Sequence, residues 1–406
     1  MMKNDLITLR FKGFQDTPTI VSLIDLSMDG IKNGVSNRPG INDFDIKFIN
    51  VVNLYHDDVI DTNKLEYVDI PYSLFSSYKV QSNDIFFTRS SLKLEGIAHC
   101  NINLDSHTNL VFDDHIMRIR PIIELVDPYY LKTYCLTSRA RKFFMSRAKT
   151  GTMTTIGQED ISDLPVSLPS IEEQKKISNF FKLIGRKMQK QQEKIGQLEL
   201  LKKGMMQKLF SQEVRFKDEN GQEFPDWEIS NVGDIFSERS ERGFNDLELL
   251  SVTVKGGVCR RSDIDYNDNS SDDKSNYKMV QPEDIVYNSM RMWQGSSGVS
   301  RYTGIVSPAY TVLIPKKKII SNYFGYLFKT PEMIYQFKKF SQGLTSDTWN
   351  LKYPQIKDIS IKVPTLDEQS KIVNILSLID NKISLEKKKA KYLTEMKIGF
   401  SRKMLG

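Results

Sequence analysis

The 406-residue chain contains no Gly-Lys dipeptide. A phosphate-binding loop of the G-x-x-x-x-G-K-[ST] kind needs that pair, so nucleotide hydrolysis by this route is excluded. Only three cysteines occur, Cys100, Cys135 and Cys259. Their odd number and wide spacing exclude a disulfide framework and point to the reducing cytoplasm. Four histidines leave little scope for histidine-based chemistry. His99, Cys100, His107 and His115 lie near one another in sequence but lack metal-ligand spacing, so packing or surface use is the simpler reading and no metal site is expected. No Ser/His/Asp arrangement is visible by spacing. No apolar run reaches 18 residues, so no membrane span is expected. The N-terminal MMKNDLITLRFKGF lacks the apolar segment of a signal peptide.

Two partial motifs also fail. Asp127-Pro128-Tyr129-Tyr130 comes near the Asn/Asp-Pro-Pro-Tyr/Phe loop of adenine methyltransferases, but the second proline is missing and no glycine-rich AdoMet loop precedes it. Asp as N-cap with Pro at the first helical position accounts for it better. Glu173-Gln174-Lys175 matches the tail of a nuclease Asp…Glu-x-Lys pattern, but its place at the start of a coiled-coil stretch makes it a helix terminus instead.

What is present is a duplication. Pro169 to Phe210 recurs, at an offset of 195 residues, as Pro364 to Leu405. Pro169/Pro364, Glu173/Glu368, Gln174/Gln369, Ile177/Ile372, Asn179/Asn374, Leu183/Leu378, Ile184/Ile379, Leu198/Leu393 and Gly204/Gly399 are identical. So long a period means a duplicated domain with its helix, not a solenoid. Both copies hold one heptad register. The first runs through Ile177, Phe181, Ile184, Met188, Ile195 and Leu198, the second through Ile372, Leu376, Ile379, Ile383, Ala390 and Leu393. Steps of four and three keep an apolar seam on one helix face, as in a coiled coil. The polar interruptions match too, Gln191 with Glu386 and Lys202 with Lys397. The plainer alternative is two surface helices, each packed on its own domain.

Charge separates the parts. Residues 171–210 carry a net +6 and residues 365–406 a net +4. Since the whole chain carries +6, the remainder carries −4. Any nucleic-acid surface on the globular parts must then be a local patch.

The length predicts two or three domains. Residues 1–168 read as one globular unit, with β-type runs at Asp45–Val52, Asp84–Thr88, Ile116–Arg120 and Asp163–Leu168. Turn signals stand at Arg38-Pro39-Gly40, Ser82-Asn83-Asp84 and Asn101–Asn103. Residues 169–212 form the central helix, 213–363 a second unit and 364–406 the last helix. Asn220-Gly221 signals a turn, and Asp263–Asn276 reads as a polar, mobile loop. Val214-Arg215-Phe216-Lys217 echoes Leu9-Arg10-Phe11-Lys12, Val280-Gln281 and Asp284-Ile285 repeat Val80-Gln81 and Asp84-Ile85, and Ile356 and Asp358 repeat Ile161 and Asp163. Between these anchors the units diverge, as two readers of different ligands on one scaffold would.

The repeated Pro-x-x-Glu/Asp-Glu-Gln-x-x-Ile opening of a long helix resembles the specificity (S) subunit of type I restriction–modification enzymes. So do Phe224-Pro225-Asp226-Trp227-Glu228, the runs Asp84–Arg89 and Glu283–Arg291, and Ile305-Val306-Ser307-Pro308-Ala309-Tyr310. The likeness covers essentially the whole chain, except that the N-terminus has no clear Pro-x-Trp-Glu segment. It implies an α+β fold in which two target-recognition domains are separated by two long antiparallel helices forming a coiled coil, with pseudo-two-fold symmetry. It implies a non-catalytic DNA-specificity subunit reading a bipartite target, one half-site per domain. Partners would be double-stranded DNA, two methyltransferase (M) subunits and two restriction (R) translocase subunits. AdoMet, ATP and Mg²⁺ would reside on those partners, with no cofactor in this chain. The competing class is a non-enzymatic coiled-coil adaptor that binds other proteins.

Base reading in the major groove favours Arg or Lys on guanine and Asn or Gln on adenine. Candidates on loops after the paired strands are Arg89, Ser90, Ser91 and Lys93, with Lys149, Thr150, Gly151 and Thr152, in the first unit. In the second they are Asn288, Arg291, Gln294 and Arg301, with Gln342, Gly343, Thr345 and Ser346. Gly151 and Gly343 are expected to let backbone approach phosphate. Trp293 and Trp349 are expected to pack.

Overall fold

A computed structural model describes residues 9–36, 45–55, 58–106, 109–254, 256–264 and 273–406. Both copies of the heptad stretch are helical, over Ile171–Phe210 and Leu366–Leu405, 40 residues each. Their ends keep the sequence offset, since 366 − 171 and 405 − 210 both equal 195. The chain divides into two compact units, residues 1–194 with 386–406, and residues 195–385. Each unit therefore takes in a segment of both long helices.

In the first unit, strands Ser27–Asn33, Ile116–Pro121, Ile85–Thr88 and Cys100–Ile102 stand in that order in one antiparallel sheet. A smaller sheet joins Glu66–Tyr67, Lys47–Ile49 and Leu110–Phe112, the last two parallel. Thr19–Ser22 pairs with Pro165–Leu168 just before the first long helix. The β-type runs read from the sequence all carry strands. Asp127 caps the helix Pro128–Cys135 by accepting the Tyr130 N–H at 2.9 Å, and that helix packs its tyrosines into the core.

One turn signal is corrected. Asn101–Asn103 overlaps the strand Cys100–Ile102, where Asn101 stands opposite Phe86. Asn101 is buried, and its amide donates to the Leu54 carbonyl at 3.2 Å. With that partner supplied, burial in the sheet overrides asparagine's preference for turns. Arg38-Pro39-Gly40, His107 and most of Asp263–Asn276 lie outside the described residues. The Asn220-Gly221 turn forms, with Gly221 at φ +79° and the Asp218 N–H on the Gln222 carbonyl at 2.8 Å.

The second unit repeats the strand order with Phe236–Glu238, Tyr310–Pro315, Ile285–Asn288 and Ser297–Val299. Glu228–Asn231 pairs with Ser360–Val363, again just before a long helix. The recurring Val-Gln-x-x-Asp-Ile run has a local cause. Asp84 accepts the Gln81 N–H, and Asp284 the Gln281 N–H, each at 2.7 Å. Asn83 and Glu283 take the left-handed conformation inside these turns, at φ +74° and +71°. Both aspartates are buried, so each needs a cation. Arg120 supplies it at 2.8 Å in the first unit, and Arg239 at 2.8 and 3.0 Å in the second. The arginines come from different strands of the shared plan: Arg120 lies on Ile116–Pro121, while Arg239 follows Phe236–Glu238.

The repeated helix opening is likewise built from polar contacts. Gln174 donates to the Pro169 carbonyl at 2.9 Å and accepts the Asp127 N–H at 2.9 Å. Gln369 donates to the Pro364 carbonyl at 2.9 Å and accepts the Ile320 N–H at 3.1 Å. Glu173 takes both guanidinium arms of Arg10, and Glu368 those of Arg215. The echo between Leu9–Lys12 and Val214–Lys217 thus preserves the arginine that neutralises a buried glutamate.

Within each unit the helix segments run antiparallel. In the first, Phe180 meets Phe400 edge to face at 5.0 Å, and Gln191 donates to Glu386 Oε2 at 2.7 Å. Phe181 shares a core with Met404 and Leu405. In the second, Leu209 shares a core with Ile372 and Leu376, and Lys202 holds Asp380 at 2.7 and 2.9 Å. Ile177, Phe181, Ile184, Ile195, Ile372, Leu376, Ile383 and Leu393 are buried, while Met188, Leu198, Ile379 and Ala390 are half-buried.

Candidate nucleic-acid interface

In the first unit, the strand Ile85–Thr88 runs on into the short strand Ser90–Ser91. This pairs antiparallel with Thr154–Thr155, matching Ser90 to Thr155 and Ser91 to Thr154. Lys149 closes on Thr155 through two backbone hydrogen bonds of 2.8 and 2.9 Å. Two candidate groups some sixty residues apart in sequence therefore form one surface. Arg89, Lys93, Lys149, Thr150, Gly151 and Thr152 are exposed on it. Arg89 donates to the Asp114 carbonyl at 3.2 Å. Ser90 is buried with its hydroxyl 2.7 Å from His115 Nδ1, and Ser91 is half-buried. These serines brace the surface rather than project from it. Gly151 is not at positive φ, and a Cβ there would meet only the Met153 carbonyl oxygen, at an ordinary 3.7 Å, so its backbone does not require glycine.

In the second unit, the Leu351 N–H bonds the Ser289 carbonyl at 2.9 Å, bringing residues 342–350 beside 288–294. Gln342 and Asn350 close that loop through backbone bonds of 3.0 and 2.8 Å. Arg291, Gln294, Gln342, Thr345 and Ser346 are exposed. Asn288 is half-buried, its side chain accepting the Met290 N–H at 3.0 Å. Gly343 does require glycine: its φ is +140°, and a Cβ there would lie 2.6 Å from the Thr348 carbonyl oxygen. Trp293 and Trp349 pack edge to face at 5.2 Å, as expected, and hold the two loops together.

Arg301 is not part of this group. It follows strand Ser297–Val299, whose Val299 pairs with Ile285, at the end of the sheet away from Asn288. There its charge acts on Tyr326. The ladder also refines a correspondence between the units. The Arg89 N–H bonds the His115 carbonyl at 2.8 Å, and the Ser289 N–H bonds the Ala309 carbonyl at 3.1 Å. Arg89 therefore corresponds to Ser289, and Arg291 lies two residues further on.

Sequence reasoning passed over Lys338. Its ammonium sits 5.2 Å from the Trp349 ring centre, adding a cation to the second surface. The basic Lys338-Lys339 end of the helix Pro331–Phe340, just before Gln342, was the available signal. Both surfaces thus present guanidinium, ammonium and hydroxyl donors, and the second adds the Gln294 and Gln342 amides, on loops tied down by backbone bonds. Such donors suit phosphate and base edges.

Comparison with known proteins follows the same outline. The family model described as "Type I restriction modification DNA specificity domain" matches twice, at residues 41–200 and 225–395. A putative type I restriction enzyme MjaX specificity subunit of Methanocaldococcus jannaschii is 27% identical over 361 residues, covering 84% of this chain and 82% of that protein. The type I restriction enzyme EcoKI specificity subunit of Escherichia coli is 24% identical over 178 residues, or 43% of this chain and 38% of that protein. Among solved structures, the S subunit of a type I restriction–modification system from M. genitalium aligns over 100% of this chain and 99% of its own, with a TM-score of 0.59 at 14% identity. At that identity the likeness speaks to fold. No helix among the described residues is long and apolar enough to cross a membrane.

Proposed function

The chain belongs to the family of type I restriction–modification DNA specificity domains, and on that premise we propose that each globular part reads one half of a bipartite duplex target. The carrying observation is one strand order used twice, with loops of different chemistry at the matching strand ends. The first surface offers Arg89, Lys93 and Lys149; the second offers Arg291, Gln294 and Gln342. Different donors on one scaffold would select different bases.

In this reading residues 1–168 and 213–363 are the target-recognition domains. Residues 169–212 and 364–406 pair as a coiled coil, and their length sets the spacing between half-sites. The chain itself performs no catalysis and works in the cytoplasm. Two M subunits bring AdoMet, and two R subunits bring ATP- and Mg²⁺-dependent translocation and cleavage. Three features support this: the repeated seam, the basic helices, and the absence from the sequence of a phosphate-binding loop or a glycine-rich AdoMet loop.

The test is methylation mapping. The chain is combined with its methyltransferase partner, AdoMet and random duplex DNA, and modified adenines are located. A two-part sequence with a fixed unspecific spacer is expected. Methylation without sequence preference, or methyl transfer by the purified chain alone, would overturn the proposal.

A further inference from the structure

Besides the glutamate at its helix opening, each unit contains a carboxylate clamped where its globular part meets the long helices, and the two units supply this one from opposite sides. In the first unit the carboxylate is Asp58, from the globular part. It accepts the Tyr129 hydroxyl, Lys132 Nζ at 3.1 Å and Lys397 Nζ at 2.9 Å, the last from the second long helix. Lys132 also donates to the Asp58 carbonyl at 2.6 Å. In the second unit the carboxylate is Asp380, on the second long helix. It accepts the Tyr326 hydroxyl at 2.7 Å and Lys202 Nζ at 2.7 and 2.9 Å, the latter from the first long helix.

The long-helix sides of the two clamps correspond by the duplication. Lys202 and Lys397 are 195 residues apart, as duplicates should be. The globular sides do not: Tyr130 and Tyr323 are the equivalent pair, donating to the Ser167 and Lys362 carbonyls, so Tyr326 stands one helical turn beyond the place of Tyr129, and Lys329 donates to the Val254 carbonyl at 2.8 Å. Burial lowers the pKa of the Lys329 ammonium, which also senses Lys202 and Asp380. Position 380 minus 195 is 185, and there the first long helix carries glycine. A Cβ on Gly185 would lie 2.5 Å from Asp58 Oδ2 and 2.8 Å from its Cγ. The helix has thus given up a side chain where the loop carboxylate enters. Asp58 cannot swing aside cheaply, because three donors hold it. Burial alone would raise its pKa, but Lys132, Lys397 and Tyr129 outweigh that and hold it at about 2.

We infer that this exchanged carboxylate makes the two junctions non-interchangeable, so that it determines which globular part can seat on which pair of helix segments. A globular part bearing Asp58 set against a helix bearing aspartate in place of Gly185 would force two carboxylates into one site. A globular part lacking Asp58 set against Gly185 would leave a tyrosine hydroxyl and two ammonium groups without their anion. Both mismatches cost stability, since Lys132 is buried and Asp58 and Lys397 are partly buried, and like charges or an ammonium without its anion are disfavoured there. Asp58 and Asp380 are positioning residues and touch no DNA in this scheme, so the inference stands apart from the DNA-reading proposal.

The test is a double-mutant cycle in the full chain, read by thermal unfolding and by amide exchange in residues 128–135 and 321–327. Asp58→Ala and Gly185→Asp should each lower the first unit's Tm by about 5–10 °C. Each should quicken exchange in 128–135 and leave 321–327 unchanged. Asp58→Ala combined with Gly185→Asp moves the carboxylate to the helix side, the side that supplies it in the second unit. It should recover most of the lost Tm and protection, because the carboxylate returns from the helix side. Lys397→Met should mimic Asp58→Ala and abolish the recovery in the combined variant. Additive losses in the combined variant, or a harmless Gly185→Asp alone, would overturn the inference. Should a single variant fail to fold, recovery of folding in the combined variant supports it and failure there overturns it.

Discussion

Arg215 grips Glu368 with two hydrogen bonds, 3.1 Å from Nε and 2.9 Å from Nη2. Glu368 is buried and also accepts the Trp227 indole N–H at 3.0 Å. Its duplicate Glu173 takes Arg10 in the same way but has no tryptophan. The sequence difference at the N-terminus, where no Pro-x-Trp-Glu segment stands, thus appears as one missing donor.

Glu368→Ala should therefore cost more than Glu173→Ala. The first strands an indole N–H as well as a guanidinium, and the second a guanidinium alone. A loss of about 2–3 kcal/mol is expected for Glu368→Ala, with about 1 kcal/mol less for Glu173→Ala. Urea unfolding, with amide exchange to assign each loss to its unit, is the check. Equal costs would mean the indole bond contributes nothing.

Arg89→Ala and Arg291→Ala should each relax one base position, in different half-sites. A lost bidentate guanine contact costs about 1–3 kcal/mol. Selection of bound sequences from a randomised duplex library reads this directly. Arg301→Ala should leave both half-site sequences unchanged, because it lies at the far end of its sheet. Relaxation of the same half by both Arg89→Ala and Arg291→Ala would end the division of labour.

Lengthening both long helices by one heptad should widen the unspecific spacer. Gln191 bonds Glu386, so seven residues after Met188 and seven after Lys389 extend the helices on one side of that pair and keep it intact. The heptad phase survives. Each helix gains about 10 Å, nearly three base-pair steps. The half-site sequences should not change. Methylation mapping over a spacer library would show an unchanged spacer if helix length were not the ruler.

Acid should weaken the first unit through His99. Burial, with Arg141 nearby, lowers this imidazole's pKa from 6.5 to about 4. The unfolded chain then binds a proton between these values and the folded chain does not. Stability should fall as pH drops from about 6.5 to 4 and be flat above, a change of up to about 3 kcal/mol. Asp58 acts lower down: its folded value near 2 lies below the ordinary 3.8. Its contribution is present above about 4 and is lost as pH falls toward 2. His99→Phe, which keeps a ring stacked on Tyr55, should remove the upper slope and leave the lower. An unaltered upper slope would assign it elsewhere.

The amino-acid sequence by itself determined the helices and their shared ends, because a heptad seam is a local pattern repeated many times along one element. It also determined the Val-Gln-x-x-Asp-Ile turns, where Asp84 and Asp284 bond Gln81 and Gln281, and the local half of the helix openings, where Gln174 and Gln369 bond the Pro169 and Pro364 carbonyls. Only the tertiary structure decided that Arg120 and Arg239 reach equivalent aspartates from different strands, and that Arg301 stands apart from Arg291. It alone brought residues 89–93 to 149–155, and showed that Gly343 needs its glycine while Gly151 does not. It alone placed Asp58 against Gly185 and Lys397, a contact spanning 339 residues. A buried charge requires a partner, but that requirement names neither the residue nor the strand that supplies it. Several positions satisfy it equally in sequence, and the packing of the folded chain selects one.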